Sequence, residues 1–258
     1  MKDLIASETK VALVTGGNRG LGKDMALSLA RRGIDVVLTY NSNGSEGEAV
    51  AEEIRDMGGR AAALQFDLTD VPAIDCFVSR LQTMVRETFG VERIDFLVNN
   101  AGFGKSIPID LLTEADFDAF AGVHFKGVLF LTQKVLRMMN DGGGVVFITA
   151  AADRYNVPGY GLYAACKGAI EVLSRYVAKE YGPRGIRSNS IAPGGVATDF
   201  AGAAIRENPM LQQMVISQTA MGRLAEPRDI GGLVAMLCSD DARWLTGQRL
   251  EATGGFNI

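Results

Sequence analysis

A doubly wound α/β domain is what this sequence predicts, on three observations. Short apolar runs rich in β-branched residues recur along the chain, beginning with Val11-Ala12-Leu13-Val14-Thr15. Helical stretches separate them at regular spacing, an alternation that implies parallel pairing through right-handed crossovers, with helices on both faces of the sheet. The first run leads straight into Gly16-Gly17-Asn18-Arg19-Gly20-Leu21-Gly22. Strand, glycine loop and helix in that order point free backbone N–H groups and a helix N-terminus at a phosphate. The competing reading is a glycine-rich turn with no ligand. No linker, low-complexity tract or repeat intervenes, so one domain over residues 1–258 accounts for the chain.

Taken in order, Val11 to Thr15 has the look of a strand buried on both faces, and a helical pattern from Lys23 to Arg32 is closed by Gly33. Ile34 to Tyr40 is the second strand. Glu46 to Met57 is helical and ends at Gly58-Gly59, a plausible C-cap. Ala61 to Phe66 is the third strand, followed by Asp67-Leu68. Thr69, Asp70 and Pro72 open a helix that runs to about Phe89, with proline in the first turn, where it is tolerated. Ile94 to Val98 is the fourth strand. Thr113-Glu114-Ala115-Asp116 resembles a capping box before a long helix reaching Asn140, broken by Gly142-Gly143-Gly144. Val145 to Thr149 is the fifth strand, and a helix from Tyr160 to Tyr181 follows. Ile186 to Ile191 is the sixth strand, Pro227 to Cys238 a helix, and Arg249 to Ala252 a last short strand. Between them, residues 198–222 carry Phe200, Met210, Leu211, Met214 and Met221. This stretch reads either as a substrate lid or as a surface helix pair burying its methionine face.

Composition narrows the function. A net charge of −4 leaves no basic surplus to track phosphates, which argues against nucleic acid as the main partner. No apolar run approaches the length that crosses a bilayer. The polar start, Met1 to Lys10, has no signal-peptide pattern. Cys76, Cys166 and Cys238 are odd in number, far apart and not at metal-ligand spacing. They read as small buried hydrophobes in a reducing compartment, and the expectation is a cytoplasmic protein without a metal.

Two places carry chemistry. In dinucleotide folds an acidic residue ending the second strand takes the ribose hydroxyls. Here that end reads Tyr40-Asn41-Ser42-Asn43, with no carboxylate, and Arg19 sits in the glycine loop. A guanidinium without a competing anion suits a 2′-phosphate, hence NADP(H) rather than NAD(H). Otherwise Arg19 merely faces solvent. The second place is Tyr163-Ala164-Ala165-Cys166-Lys167. Tyrosine and lysine four apart on a helix share one face, and a nearby ammonium lowers a phenol's pKa, making it a proton donor and acceptor for a carbonyl/alcohol pair.

With these features in place the chain resembles the short-chain dehydrogenase/reductase family from about Lys10 to the C-terminus. The matching motifs are Thr15-Gly16-x-x-x-Gly20-x-Gly22, Asp67-Leu68, Asn99-Asn100-Ala101-Gly102, Tyr163-x-x-x-Lys167 and Pro193-Gly194-x-x-x-Thr198. The resemblance implies a Rossmann-type domain with a seven-stranded parallel sheet, a nicotinamide cofactor and commonly a homotetramer. By carry-over, the loop from Gly16 through Asn18, Arg19, Gly20 and Leu21 to Gly22 would hold the pyrophosphate. Asp67 and Leu68 would flank the adenine, with Asn100, Ala101 and Gly102 on the ribose side. Tyr163 would be the catalytic acid/base, and Lys167 would bind the nicotinamide ribose and lower the Tyr163 pKa. Pro193, Gly194, Val196 and Thr198 would line the nicotinamide.

Two departures stand out. The family usually places a serine thirteen residues before the tyrosine, where this chain has Ala150. Thr149 is one residue off and faces the other way in a strand. His124, the only histidine, occupies the family's usual asparagine position, as a tolerated stand-in or as a new catalytic group. Asp153, Arg154 and Tyr155 follow the missing serine closely enough to reach a cleft. Two functions remain open: an NADP(H)-dependent reductase of small-molecule ketones or aldehydes, and a dinucleotide-binding protein turned to sensing or assembly.

Overall fold

The computed structural model describes residues 9–258, so the polar start before Thr9 lies outside the described residues. Seven strands form one sheet in the order β3-β2-β1-β4-β5-β6-β7, every neighbour parallel. They are β1 (Val11–Val14), β2 (Asp35–Tyr40), β3 (Ala61–Gln65), β4 (Ile94–Asn99), β5 (Met139–Ile148), β6 (Arg187–Pro193) and β7 (Arg249–Ala252). Strand order reverses between β1 and β4, and the chain leaves these two neighbours on opposite sides. That reversal opens a crevice at their carboxyl ends.

Period-two alternation divides the core. Ala12 and Val14 of β1 and Val36 and Leu38 of β2 turn to the face covered by α1 (Gly20–Ala30), α2 (Gly44–Asp56) and α10 (Pro227–Leu237). Val11, Leu13 and Val37 turn to the opposite face, with α3 (Ile74–Phe89), α5 (Gly127–Val135) and α7 (Gly161–Tyr181). Leu13, Leu38, Leu81 and Leu131 are fully buried, and truncating any of them to alanine costs about 2–5 kcal/mol. α10 approaches α1 closely at Gly231, where a Cβ would meet the Asp24 carboxylate at 2.0 Å and the Asp24 backbone carbonyl at 3.0 Å.

The long helix expected from Thr113 to Asn140 is instead broken into α4 (Glu114–Ala121), a π-helical turn, α5 and a 3-10 turn over Leu136–Met138, with β5 beginning at Met139. The capping box holds, with Thr113 and Asp116 exchanging bonds at the start of α4. A π-helical turn, Gly122–Lys126, separates α4 from α5. Gly127 marks why: a Cβ there would fall 2.1 Å from the Leu68 carbonyl oxygen, so the segment is pressed against the neighbouring loop. The glycine triplet does not end the helix, since β5 already begins at Met139. Gly142 to Gly144 lie within β5 where its register against β4 shifts. Gly143 lies so close to β4 that a Cβ would be 2.2 Å from the Asp95 carbonyl oxygen. Residues 198–222 hold two short helices, α8 (Phe200–Glu207) and α9 (Pro209–Ser217). The first bends through left-handed Ala201, Gly202 and Ala203. A four-residue helix, α6 (Ala152–Tyr155), follows β5. Among the described residues no helix is long and apolar enough to cross a membrane. Cys166 and Cys238 are buried as expected, but Cys76 is exposed, on the outer side of α3.

Candidate active site

A cleft of about 930 Å³ runs along the carboxyl ends of the strands. The glycine loop after β1 forms one end. Gly16 and Gly20 take left-handed backbone, at φ +62° and +55°, as the turn requires. Arg19 stands at the N-cap of α1 but makes no side-chain cap, and no acid occupies the first turn. The N–H groups of that terminus are thus left open to an anion. Asn18, Arg19, Gly20, Leu21 and Gly22 line the cleft with Gly16, whereas Gly17 is packed on Leu38 instead.

The loop is fastened to the end of β4. The Thr15 hydroxyl accepts from the backbone N–H groups of Asn100 and Ala101, each at 3.0 Å, and donates to the Val98 carbonyl. Asn100 Nδ2 returns two bonds, to the carbonyls of Thr15 at 2.9 Å and Gly16 at 3.1 Å. This clasp sets Asn100, Ala101 and Gly102 along the cleft wall facing the glycine loop.

Beyond the loop, Asn41, Ser42, Asp67 and Leu68 line the cleft as the motifs place them. One expectation fails there. The end of β2 has no carboxylate, yet Glu46 from the first turn of α2 lines the same pocket. Its Oε2 accepts from Asn18 Nδ2 at 2.8 Å. An acid six residues beyond the strand is brought back by the turn into α2, which a reading of the strand end alone does not anticipate.

At the other end, Tyr163 and Lys167 share one face of α7, with Lys167 Nζ 5.7 Å from the phenol ring centroid. The ammonium donates to the Ile148 carbonyl at 2.8 Å. The expected lowering of the Tyr163 pKa is not found. Burial drives the phenol well above its ordinary value, with the Asp153 carboxylate and Tyr160 adding to the rise. Burial also lowers Lys167 to about 8. Both groups sit where water is excluded, and loss of hydration outweighs their attraction across that distance. Pro193, Gly194, Val196 and Thr198 complete this wall, and the Thr198 hydroxyl accepts from the Phe200 N–H at 3.3 Å.

His124 is fully buried in the π-helical turn. Its Nε2 lies 2.8 Å from the Phe103 carbonyl and 3.4 Å from the Phe103 N–H; the shorter contact favours Nε2 as donor, and among the described residues the buried Nδ1 has no partner. Burial, reinforced by the Lys167 charge, lowers its pKa to about 3, so the ring stays neutral at ordinary pH. The imidazole stands edge-on to Tyr163, ring centroids 5.1 Å apart. Gly102 makes room for it, since a Cβ there would lie 2.6 Å from His124 Cε1.

Ala150 faces the cleft without a hydroxyl. Thr149 does not replace it, because its hydroxyl is buried and donates to the Ile191 carbonyl at 3.1 Å. Of Asp153, Arg154 and Tyr155, only Tyr155 reaches the cleft, set edge-on to Phe256. Asp153 is turned to Arg249 at 2.8 Å, and Arg154 pairs with Glu251. Phe200, Leu211 and Met214 line the cleft, but Met210 and Met221 face solvent. Tyr160, Phe103 and Phe256 also line it. Only Tyr160 carried a sequence signal, its position three residues before Tyr163. Among the described residues no cluster of His, Cys, Asp or Glu could hold a metal.

Comparison with known proteins agrees with this geometry. The profile of the family described as enoyl-(acyl carrier protein) reductase matches residues 16–257. An uncharacterized oxidoreductase of Methylorubrum extorquens is 36% identical over 248 residues, covering 96% of this chain and 98% of that protein. A hydroxynaphthalene reductase of Aspergillus fumigatus is 36% identical over 249 residues, covering 93% and 89%. Among solved structures, an angucycline C-6 ketoreductase with bound NADP superposes with a TM-score of 0.91 at 33% identity, covering 96% of this chain and 95% of that one. A short-chain dehydrogenase/reductase of Serratia marcescens gives 0.88 at 32% identity, covering 96% and 98%. With the sheet order, the glycine loop and the Tyr163–Lys167 pair on one cleft, the chain belongs to the short-chain dehydrogenase/reductase family.

Proposed function

We propose that this protein is an NADP(H)-dependent oxidoreductase that interconverts a small-molecule ketone or aldehyde and its alcohol. The observation that carries this reading is that one cleft holds both the uncapped N-terminus of α1 and the Tyr163–Lys167 pair. The open N–H groups and the left-handed glycines fit a pyrophosphate, and Arg19 with Asn41 and Ser42 fits a 2′-phosphate. The NADP bound in the solved ketoreductase supports the same choice. When bound, the nicotinamide supplies or takes the hydride. The chain's own residues do the rest. Tyr163 hands its phenolic proton to the carbonyl oxygen in reduction and takes it back in oxidation. Lys167 holds the ribose side and offsets the charge left on Tyr163. Asp67 and Leu68 flank the adenine, Asn100 to Gly102 the adenosine ribose, and Pro193 to Thr198 the nicotinamide. His124, neutral and held by Phe103, positions the wall behind Tyr163 in place of the family's asparagine. The segment 198–222 covers the substrate through Phe200, Leu211 and Met214.

The single domain works in the cytoplasm as a homotetramer in this reading. Val172 and Tyr176 support it, standing 45% and 62% exposed on the outward face of α7. A sensing or assembly role is the second reading, favoured by the absent hydroxyl at Ala150. Turnover of NADPH with a panel of ketones separates the two. Tyr163→Phe is expected to lower reduction at least about 10²-fold while leaving the NADPH dissociation constant within about threefold. Full activity in that variant overturns the proposal, and tight NADPH binding without turnover in the unaltered protein favours the second reading.

A further inference from the structure

We infer that Tyr160 is a second substrate-contacting hydroxyl of this site, holding the carbonyl oxygen from the side that Ala150 leaves without a donor. This rests on the carbonyl-reductase reading above. A site with Tyr163 as its only donor would leave the oxygen under-supplied as charge develops on it, and one such donor is worth roughly 10²–10³ in rate.

Apart from Tyr155, whose ring is set against Phe256 and whose hydroxyl also lacks a protein partner among the described residues, the other hydroxyls of the cleft are committed or remote. Those of Thr15, Thr39, Thr149 and Thr198 are bonded to backbone groups, and Ser42 lies at the ribose end. Tyr160 is free. Among the described residues its hydroxyl has no protein partner, and neither has that of Tyr163, and both line the cleft. Tyr160 precedes Tyr163 by one helical turn, so the two stand on the same face. Their rings meet edge to face at 6.1 Å between centroids. The Tyr160 ring packs on the cluster that contains Ala150, Ile107, Phe120 and Tyr163, the cluster to which the position lacking the serine belongs. Its backbone is fixed as the N-cap of α7, donating to the Val157 carbonyl at 3.1 Å and accepting from Ala164 at 2.8 Å. Burial raises its pKa, which keeps the hydroxyl protonated and able to donate at neutral pH. The result is a pair of phenols one turn apart: Tyr163 transfers the proton, and Tyr160 only holds the oxygen.

The test is Tyr160→Phe, which keeps the ring and its packing and removes the hydroxyl alone. With NADPH and trifluoroacetophenone, kcat/KM is expected to fall about 10²-fold, mostly in kcat, with the NADPH dissociation constant unchanged. Ala150→Ser supplies a hydroxyl from the neighbouring position. It should be nearly neutral by itself and should restore about tenfold or more of the activity lost in Tyr160→Phe, a non-additivity that shared contact with one oxygen produces. Tyr155→Phe is the control and should stay within threefold. A Tyr160→Phe variant within threefold of the unaltered protein overturns the inference, as does a large loss in Tyr155→Phe with none in Tyr160→Phe, or a loss that Ala150→Ser leaves unrescued. If Tyr163→Phe retains full activity, the underlying reading fails instead. No turnover and no calorimetric binding of either trifluoroacetophenone or phenanthrenequinone by the unaltered protein overturns both.

Discussion

Glu46 and Arg19 pull the ribose end of the cleft in opposite directions. Arg19 attracts a 2′-phosphate, and the Glu46 carboxylate, anchored by Asn18, repels it while remaining able to accept from a ribose hydroxyl. At an exposed site a carboxylate and a phosphate a few ångströms apart repel by about 1 kcal/mol, or roughly fivefold in affinity. Glu46→Gln keeps the shape and the oxygen that Asn18 uses. It should tighten NADP+ about fivefold and leave NAD+ within twofold, measured by calorimetric titration of both. Arg19→Ala should weaken NADP+ far more than NAD+. Equal dissociation constants for the two cofactors in the unaltered protein would count against the 2′-phosphate reading. What sequence conveyed at this scale was identity at motif positions, because Tyr163, Lys167, Asn100 and the glycines are fixed by spacing along single elements. Glu46 and Phe256 enter the cleft through a turn and a returning C-terminal segment, and no periodicity reports those.

The π-helical turn shows a similar limit for whole elements. Apolar periodicity through Phe120, Phe130 and Leu131 reads as one helix, since a single wide turn leaves the pattern on either side intact. The strands, the capping box at Thr113 and the α7 boundaries were legible, because caps and β-branched runs are local. The wide turn depends on the Leu68 carbonyl pressing against Gly127, a contact distant in sequence. Its centre, His124, also gives the fold a pH signature. The folded pKa is about 3 against an ordinary 6.5. Between those values the unfolded chain binds the additional proton, so this contribution is complete above pH 6.5 and is lost as pH falls toward 3. The slope reaches about 1.4 kcal/mol per pH unit. Urea unfolding between about pH 4.5 and 7.5 should therefore be steeper in the unaltered protein than in His124→Asn. Parallel curves would show that His124 does not resist protonation.

For the molecule as a whole, helices that cover the sheet with one face leave another face to be accounted for. Alongside Val172 and Tyr176 on α7, Phe117 and Phe125 are exposed on α4 and the π-helical turn. Light scattering should give a mass near four chains, and Val172→Glu with Tyr176→Glu should reduce it to two chains or one while far-UV circular dichroism is unchanged. A monomeric mass in the unaltered protein refutes the assembly. Sheet order and both core faces were readable in advance because βα alternation dictates them. Which apolar residues of a helix stay outward is a finer matter, since that exposure is defined only once its inner face is known.

The clasp at Thr15 ties these scales together. One hydroxyl joins the strand that feeds the glycine loop to the strand that feeds the Asn100 wall, and all its bonding capacity is used. At the strand-order reversal the two walls of the crevice diverge, and beyond the end of β1 they are joined by the Thr15 N–H to the Val98 carbonyl and by this clasp. The width of the cleft mouth is therefore gauged by an oxygen atom at the bottom of it, and not by the loops that border it. Substrate range can then diverge freely at the rim, through α8, α9 and the C-terminal segment, while the spacing between the two walls stays calibrated from below.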